Sequence, residues 1–353
     1  QRMFVGELSL DGSVRRVSGV LSIALFAKHQ GFEELYVPAE NAREAALVGG
    51  ITIIPVPSLF AFSRHLRGQE ALPVVALPDE APVRAESPHD FKFIRGQEHA
   101  KRALEIAAAG GHNVLFVGPP GSGKTLLARA LSSILPDLDF DERLEVTKIY
   151  SVAGRAHRSE HLMREQPFRS PHHTASAASL IGGGSVPKPG EVSLAHRGVL
   201  FLDEFAEFSR AVLENLREPL EEGVVTVSRV RGALSFPARF LLVAAMNPCP
   251  CGYAGDPEHA CSCSPYQVLQ YKRKISGPIL DRIDLHVDVP RVKLEKLQES
   301  FDGAEPSEMI RGRVASARDR QRDRMREWQK KTNAEMDTRL LERFCALDQN
   351  VQA

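Results

Sequence analysis

Eight consecutive residues, Gly118, Pro119, Pro120, Gly121, Ser122, Gly123, Lys124 and Thr125, fit the spacing G-x-x-x-x-G-K-[ST]. The apolar run Val-Leu-Phe-Val at 114–117 precedes them, and residues 126–131 follow with helical spacing. Strand, glycine turn and helix start are the setting this pattern needs. The glycines let backbone N–H groups curl around a polyphosphate, and the helix N-terminus adds its positive dipole end. The pattern places Lys124 at the β/γ-phosphates and the Thr125 hydroxyl on Mg²⁺. It predicts a nucleotide site with ATP and Mg²⁺ as cofactors.

Two further strand ends supply the remaining chemistry. Val199-Leu-Phe-Leu is followed by Asp203 and Glu204, the Walker B arrangement. Asp203 is expected in the Mg²⁺ shell and Glu204 as the carboxylate that polarises the attacking water. The run at 240–246 ends at Asn247, a polar group beside the two motif strands that resembles the sensor-1 position orienting the lytic water. The alternative is a turn-capping Asn. Cys249, Cys251, Cys261 and Cys263 form C-x-C and C-x-C with nine residues between the pairs, and four thiolates can close a tetrahedral Zn²⁺ site. The usual knuckle is C-x₂-C, so reduced structural thiols are the other reading. His172 and His173, adjacent in a loop, read as hydrogen-bonding structure rather than as ligands.

These residues need a scaffold. At 353 residues, with 43% hydrophobic and 25% charged side chains, the chain suits two or three soluble domains with a large core. Net charge is zero, so nucleic-acid affinity has to come from local basic patches. No apolar run approaches the ~20 residues of a membrane span, which argues against a membrane partner. No secretory leader is visible, so a cytoplasmic location is expected. The chain reads as already mid-domain at Phe4, as a fragment would.

In chain order, residues 4–10 alternate like one strand, Asp11-Gly12 marks a hairpin, and the chain returns over 14–17. Helices are expected over 22–31, 42–48 and 58–66, with buried strands at 35–37 and 51–56. Residues 69–90, rich in Pro, Ala and acids, read as a linker. A helix over 100–109 leads into the phosphate loop; Ile94, Gly96 and Gln97 before it are weak candidates for an adenine pocket. Between Thr125 and Asp203 lie nearly eighty residues, more than a strand–helix–strand crossover needs, including Gly- and Pro-rich loops at 167–174 and 180–196. Residues 224–238 read as a β-hairpin with Arg229 and Arg231 near its tip. Residues 308–331 form a charged, Arg-rich helical stretch expected to present a solvated helix face, with DNA contact as the other reading.

Phe168-Arg-Ser-Pro-His-His-Thr174, Gly190-Glu-Val-Ser-Leu-Ala-His196 running on to the Walker B strand, and Asn247-Pro-Cys-Pro-Cys-Gly252 together resemble the Mg-chelatase-like AAA+ ATPases of the ComM/YifB family, in the helix-2-insert clade. The resemblance implies an α/β fold: an AAA+ P-loop core over 91–290, preceded by a partial Lon-protease-like α+β domain at 1–68 and followed from 291 by the start of a helical lid. Where active Lon carries a catalytic lysine, this chain has Gly19-Val-Leu21-Ser-Ile23, so a Ser–Lys protease is disfavoured. Ser276-Gly-Pro-Ile-Leu-Asp281-Arg282 resembles the clade's arginine-finger signature, which implies that Arg282 reaches the γ-phosphate of a neighbouring copy in a homo-oligomer, a hexamer. By the same analogy the insert and the Arg229/Arg231 hairpin face a pore that grips DNA, single-stranded or branched, without reading bases. A solvated basic hairpin is the plainer alternative. The family implies a helicase or branch-migration motor in natural transformation or recombination; the alternative is a chelatase-type ATPase that remodels a porphyrin-metallating partner. The family's lid arginine that senses nucleotide has no counterpart before Ala353.

Overall fold

The apolar runs that precede the functional residues become neighbouring strands of one parallel sheet. A computed structural model of the chain describes residues 1–76, 88–155, 162–184, 187–229, 232–292, 295–296 and 304–346. The N-terminal part holds β1 (Arg2–Phe4), β2 (Glu7–Leu8), β3 (Val14–Arg15), α1 (Val20–His29), β4 (Glu34–Pro38), α2 (Ala42–Ala46), β5 (Thr52–Val56) and α3 (Leu59–Leu66). The next part runs α4 (Glu98–Gly110), β6 (Val114–Val117), α5 (Lys124–Ile134), α6 (Phe140–Val152), β7 (Phe168–Arg169), α7 (Ala177–Ile181), β8 (Gly182–Gly183), β9 (Lys188–Pro189), α8 (Glu191–Leu194) and β10 (Val199–Leu202). It continues with α9 (Arg210–Glu214), α10 (Arg217–Glu222), β11 (Val224–Arg229), β12 (Gly232–Pro237), β13 (Leu241–Met246), α11 (Pro265–Lys272), α12 (Gly277–Leu280) and β14 (Leu285–Asp288). Helices α13 (Ser307–Arg324) and α14 (Thr338–Phe344) follow.

The central sheet has the order β14-β6-β13-β10-β7, and every pairing in it is parallel. A parallel sheet is covered on both faces, which is why its strands read as unbroken apolar runs. Alternate residues divide between two cores. Val114, Phe116, Val199, Phe201, Val243 and Ala245 pack with α4 and α5. Leu115, Leu200, Leu202, Leu242, Ala244 and Met246 pack with α9, α12 and the inner side of β11. In α5, Leu127, Leu131 and Ile134 are fully buried, each contributing about 1.5–3 kcal/mol of apolar transfer. Because the strands share one direction, the residues after β6, β10 and β13 all emerge at the same carboxyl edge, where open α/β sheets bind ligands.

The N-terminal part departs from its expected single strand over 4–10. β1 instead pairs in parallel with β4, and β2 turns away to pair with β3. Gly6 lies between them; a Cβ there would sit 2.6 Å from Val14 Cγ1, so the change of direction needs a residue without one. The hairpin at Asp11-Gly12 forms as expected, with Gly12 at φ 83°. Helix α1 packs on α6: the Gly19 N–H donates to Ser151 O at 3.1 Å, and Leu144 and Leu162 join the cluster around Val20 and Leu21. Within the stretch expected as a linker, Val75 bridges to Ile53, and the Leu72 N–H donates to His65 Nδ1 at 3.0 Å. These residues extend the N-terminal packing, and 77–87 lie outside the described residues.

The charged helix expected over 308–331 forms with an exposed face, but it is shorter and its other side is packed. α13 ends at Arg324, and Gln329, at φ 54°, breaks its line. Ile310 and Val314, four apart, bury against α4 and α5. Arg318 Nε and Gln321 Nε2 donate to Ala108 O (2.9 Å) and Ala109 O (3.0 Å), the unpaired carbonyls at the end of α4. Burial pushes Arg318 down to about 10, which leaves it charged at neutral pH. Its charged head reads as a solvent-facing position in sequence, although the guanidinium reaches a backbone carbonyl.

Candidate nucleotide site

The phosphate loop is held open by its own backbone. Gly121 and Gly123 take φ values of 75° and 90°, which favour glycine, and α5 starts immediately after. Gly118 lies flat on Val289 O beyond β14, leaving no room for a Cβ. Gln97 braces the loop from the other side: its Nε2 donates to Ser122 O at 3.2 Å and to Pro290 O at 2.5 Å. Ile94 is buried in the core rather than open to a ligand, so the adenine-pocket expectation does not suit it.

Thr125 Oγ1 donates to Asp203 Oδ2 at 2.7 Å, which places the two expected Mg²⁺ ligands side by side. Both are hard oxygen donors at a partly exposed edge, a set that suits Mg²⁺. Lys124 Nζ donates to Gly118 O (2.7 Å), Pro119 O (2.8 Å) and Asn247 Oδ1 (3.3 Å). Burial pulls the Lys124 ammonium down to about 8, while the nearby Asp203 carboxylate pulls the other way. Ser122 Oγ is buried among the described residues without a hydrogen-bond partner, the condition expected of a donor facing a ligand oxygen. Glu204 follows in the left-handed region at φ 52°, half-exposed at the mouth of the site. The loop, Lys124, Thr125, Asp203 and Asn247 are thus one cluster, able to bind a metal-chelated polyphosphate and present a water to it.

His173 was not expected in the cluster. Its Nδ1 lies 2.8 Å from Glu204 Oε2, its ring packs on His172 (centroids 4.2 Å apart), and His172 Nδ1 contacts Thr174 Oγ1 at 2.9 Å. The loop after β7 therefore reaches the Walker B strand end. The meeting follows from β7 being the edge strand next to β10, and the pairing of neighbouring strands is not readable from spacing.

Arg282 stands elsewhere. It follows α12, its carbonyl accepts from Asn113 Nδ2 at 2.8 Å, and Asn113 precedes β6. The full length of β6, about 13 Å, separates this amino edge from the loop of the same chain. The guanidinium ion-pairs with Glu221 and donates to Pro278 O at 2.8 Å. It lines a charged cleft of about 650 Å³ shared with Arg197, Arg239 and Asp284. β11 and β12 form the expected hairpin, with Arg229 paired to Gly232 on the last rung; Arg231 lies outside the described residues. The sulfurs of Cys249, Cys251, Cys261 and Cys263 converge to within 4.8 Å of one another, a group that could hold a metal ion.

The family model described as "Magnesium chelatase, subunit ChlI" matches residues 90–297. The models "Subunit ChlI of Mg-chelatase" and "Magnesium chelatase, subunit ChlI C-terminal" match residues 1–41 and 304–353. Competence protein ComM of Haemophilus influenzae is 43% identical over 349 residues, covering 98% of this chain and 67% of that protein. This chain belongs to the Mg-chelatase-like ComM/YifB family of AAA+ ATPases. YifB of Escherichia coli is 44% identical over 345 residues, 98% of this chain and 66% of that protein. The magnesium-chelatase 38 kDa subunit of Cereibacter sphaeroides is 26% identical over 266 residues, 66% of this chain and 73% of that protein. The chain spans about two thirds of the length of its ComM and YifB relatives. For this ComM/YifB-family chain the parallel five-stranded sheet agrees with the α/β P-loop fold expected from sequence.

Proposed function

We propose that the chain is an Mg²⁺-dependent ATPase that drives a homo-oligomeric ring, a hexamer, along single-stranded or branched DNA. The 2.7 Å contact between Thr125 and Asp203, with Lys124 beside it, is the observation that carries the ATPase reading. The backbone N–H groups of Gly121 and Gly123, at the turn into α5, and the Lys124 ammonium hold the phosphates. Mg²⁺, held by Thr125 and Asp203, would neutralise charge on the β- and γ-oxygens. Glu204 accepts the proton of the attacking water as its oxygen bonds the γ-phosphorus and the bond to the ADP oxygen breaks. Asn247 orients that water. Arg282 serves the pocket of the next copy, because it is remote from its own. Zn²⁺ is the structural ion of the four-cysteine group.

The DNA part draws on the competence role in the name of the Haemophilus relative and on the β11–β12 hairpin, which has Arg229 on its last rung. It leads to a cytoplasmic helicase or branch-migration factor in natural transformation or recombination. The test is the ATPase rate with and without single-stranded DNA, together with unwinding of branched substrates. An ATPase rate that DNA does not stimulate, together with no DNA binding at low salt, would sink it.

A second reading is favoured by the three chelatase-subunit models that match along the chain. In it, the same ATPase remodels a partner that inserts Mg²⁺ into a porphyrin. Co-purification with a large porphyrin-binding subunit, and indifference of the ATPase to DNA, would select it.

A further inference from the structure

The four cysteines lie in the segment that leaves β13 through Asn247 and ends where Ser264 caps α11. Their sulfurs are 3.4 Å apart for Cys249 and Cys251, 3.7 Å for Cys249 and Cys261, and 3.6 Å for Cys251 and Cys261. A tetrahedral ion with metal–sulfur bonds of ~2.3 Å sets its sulfurs ~3.8 Å apart, so the group is already close to that figure. Backbone N–H groups support it: Cys251 N–H donates to Cys263 Sγ at 3.4 Å and Ala254 N–H to Cys249 Sγ at 3.3 Å. Such bonds favour sulfur that carries negative charge. Four soft sulfurs in a closed tetrahedral set select Zn²⁺ over the hard cations. Cys249 is buried and Cys261 exposed, which leaves a side open for loading.

The enclosed loop rests on the nucleotide site. Gly252, at φ 88°, lies so close to the phosphate loop that a Cβ would be 2.6 Å from Pro120 Cδ and 3.8 Å from Asn247 Cγ. The far side of the loop is tied down as well. Asp256, its side chain 1% exposed, accepts from the N–H groups of Glu258 and His259 and ion-pairs with Arg291 at 2.9 Å. The Arg291 guanidinium in turn covers the Tyr253 ring. Pinning both ends of this loop therefore fixes Pro120 and Asn247 together.

We infer that Cys249, Cys251, Cys261 and Cys263 bind one Zn²⁺ as a clamp that holds Asn247 and the phosphate loop in register. The clamp rests on the nucleotide-site reading above; the presence of the ion does not. The four cysteines are positioning residues, since they act through Asn247 and Pro120.

Elemental analysis of the purified chain should find one zinc per chain. Cobalt exchanged into the site should give the thiolate charge-transfer and tetrahedral ligand-field bands of a four-sulfur centre, and Cys263→Ser should lower metal retention at least tenfold. Gly252→Ala keeps all four thiols; it should keep the zinc yet weaken binding of a fluorescent ADP analogue by roughly tenfold, because the added Cβ displaces Pro120. Chain stripped of zinc with a thiol-directed mercurial, then returned to Mg²⁺ buffer, should show the same weaker ADP binding and a lower kcat. Metal-free protein without cobalt–thiolate bands, or iron in place of zinc, overturns the ion. Zinc present, with ADP affinity and kcat unchanged in both Gly252→Ala and stripped protein, overturns the clamp. Failure of every form, wild type included, to bind nucleotide overturns the ATPase reading and the clamp with it, but leaves the zinc stoichiometry standing.

Discussion

His173 Nδ1 stands 2.8 Å from Oε2 of Glu204, and this pairing joins the loop after β7 to the carboxylate expected to activate water. Glu204 is otherwise half-exposed, so the imidazole is what gives its side chain a fixed direction. A base must sit within hydrogen-bond reach of the proton it takes, and small misplacements are costly. His173→Ala should therefore lower kcat for ATP by about tenfold while leaving ADP affinity unchanged. Single-turnover rates and equilibrium binding measured side by side would check this; a loss of affinity of equal size would assign His173 to binding instead.

Lys124 makes nucleotide affinity sensitive to alkali. Burial holds its ammonium down to about 8, so in the free protein it is charged below that pH and neutral above it. Phosphate binding needs the charged form. The Kd for ATP should stay flat below pH 8 and then rise by up to about tenfold per pH unit until the bound ammonium itself titrates. The free protein behaves oppositely: its folded-state pKa is below the unfolded value, so this group adds stability as pH rises from 8 towards 10.5. Titration calorimetry across pH 7 to about 10 tests the first statement and thermal unfolding the second; Lys124→Met should flatten both trends.

The strand ends were legible because two signals coincide there. β6, β10 and β13 read as buried from their unbroken apolar runs, and each is followed directly by the polar residues that the parallel sheet delivers to one edge. The cysteine pairs were legible for a similar reason, since their spacing is local. What sequence did not disclose depends on contacts between distant segments. His173 meets Glu204 only because β7 lies beside β10, and Gln97 braces Ser122 across the turn into α4. Arg318 sits among charged neighbours in sequence, yet docking of α13 on α4 brings its guanidinium onto Ala108 O. At Gly6 a Cβ would meet Val14, a constraint that no local propensity encodes.

A second titration belongs to the scaffold. His196, almost fully buried, accepts the Arg239 N–H at Nδ1 (3.1 Å), so its proton lies on Nε2, which donates to Glu145 at 3.1 Å. That bond and Arg197 hold the Glu145 carboxylate down to about 2. A depressed acid contributes stability above its unfolded value near 4.5 and loses it as pH falls through 2. Glu145→Gln should therefore lower Tm at pH 7, and the difference should shrink steadily below pH 4.5 and vanish near pH 2. The effect will be modest, because Glu145 is 46% exposed and solvent screens it. Parallel calorimetric scans of the two proteins across this range provide the check; a difference independent of pH would point to packing instead.

Arg282 supplies the sharpest test of the shared site. In the single chain it is occupied by Glu221 and Pro278 O at the amino edge of the sheet, with β6 between it and its own phosphate loop. Acting on a phosphate therefore requires another copy and exchange of the Glu221 ion pair for that phosphate. Arg282→Ala should leave ADP affinity unchanged and reduce kcat by about 10³-fold, the scale of a missing arginine finger. Because each defect sits on one chain and each pocket on the next, mixing settles the question. Lys124→Ala chains lack a working pocket but keep Arg282, and Arg282→Ala chains have the pocket without the finger. Mixed in equal amounts, the two inactive proteins should recover a measurable fraction of wild-type ATPase per pocket, by placing an intact Arg282 against an intact loop. No recovery in mixtures that form shared oligomers by crosslinking would show that Arg282 does not complete a neighbour's site.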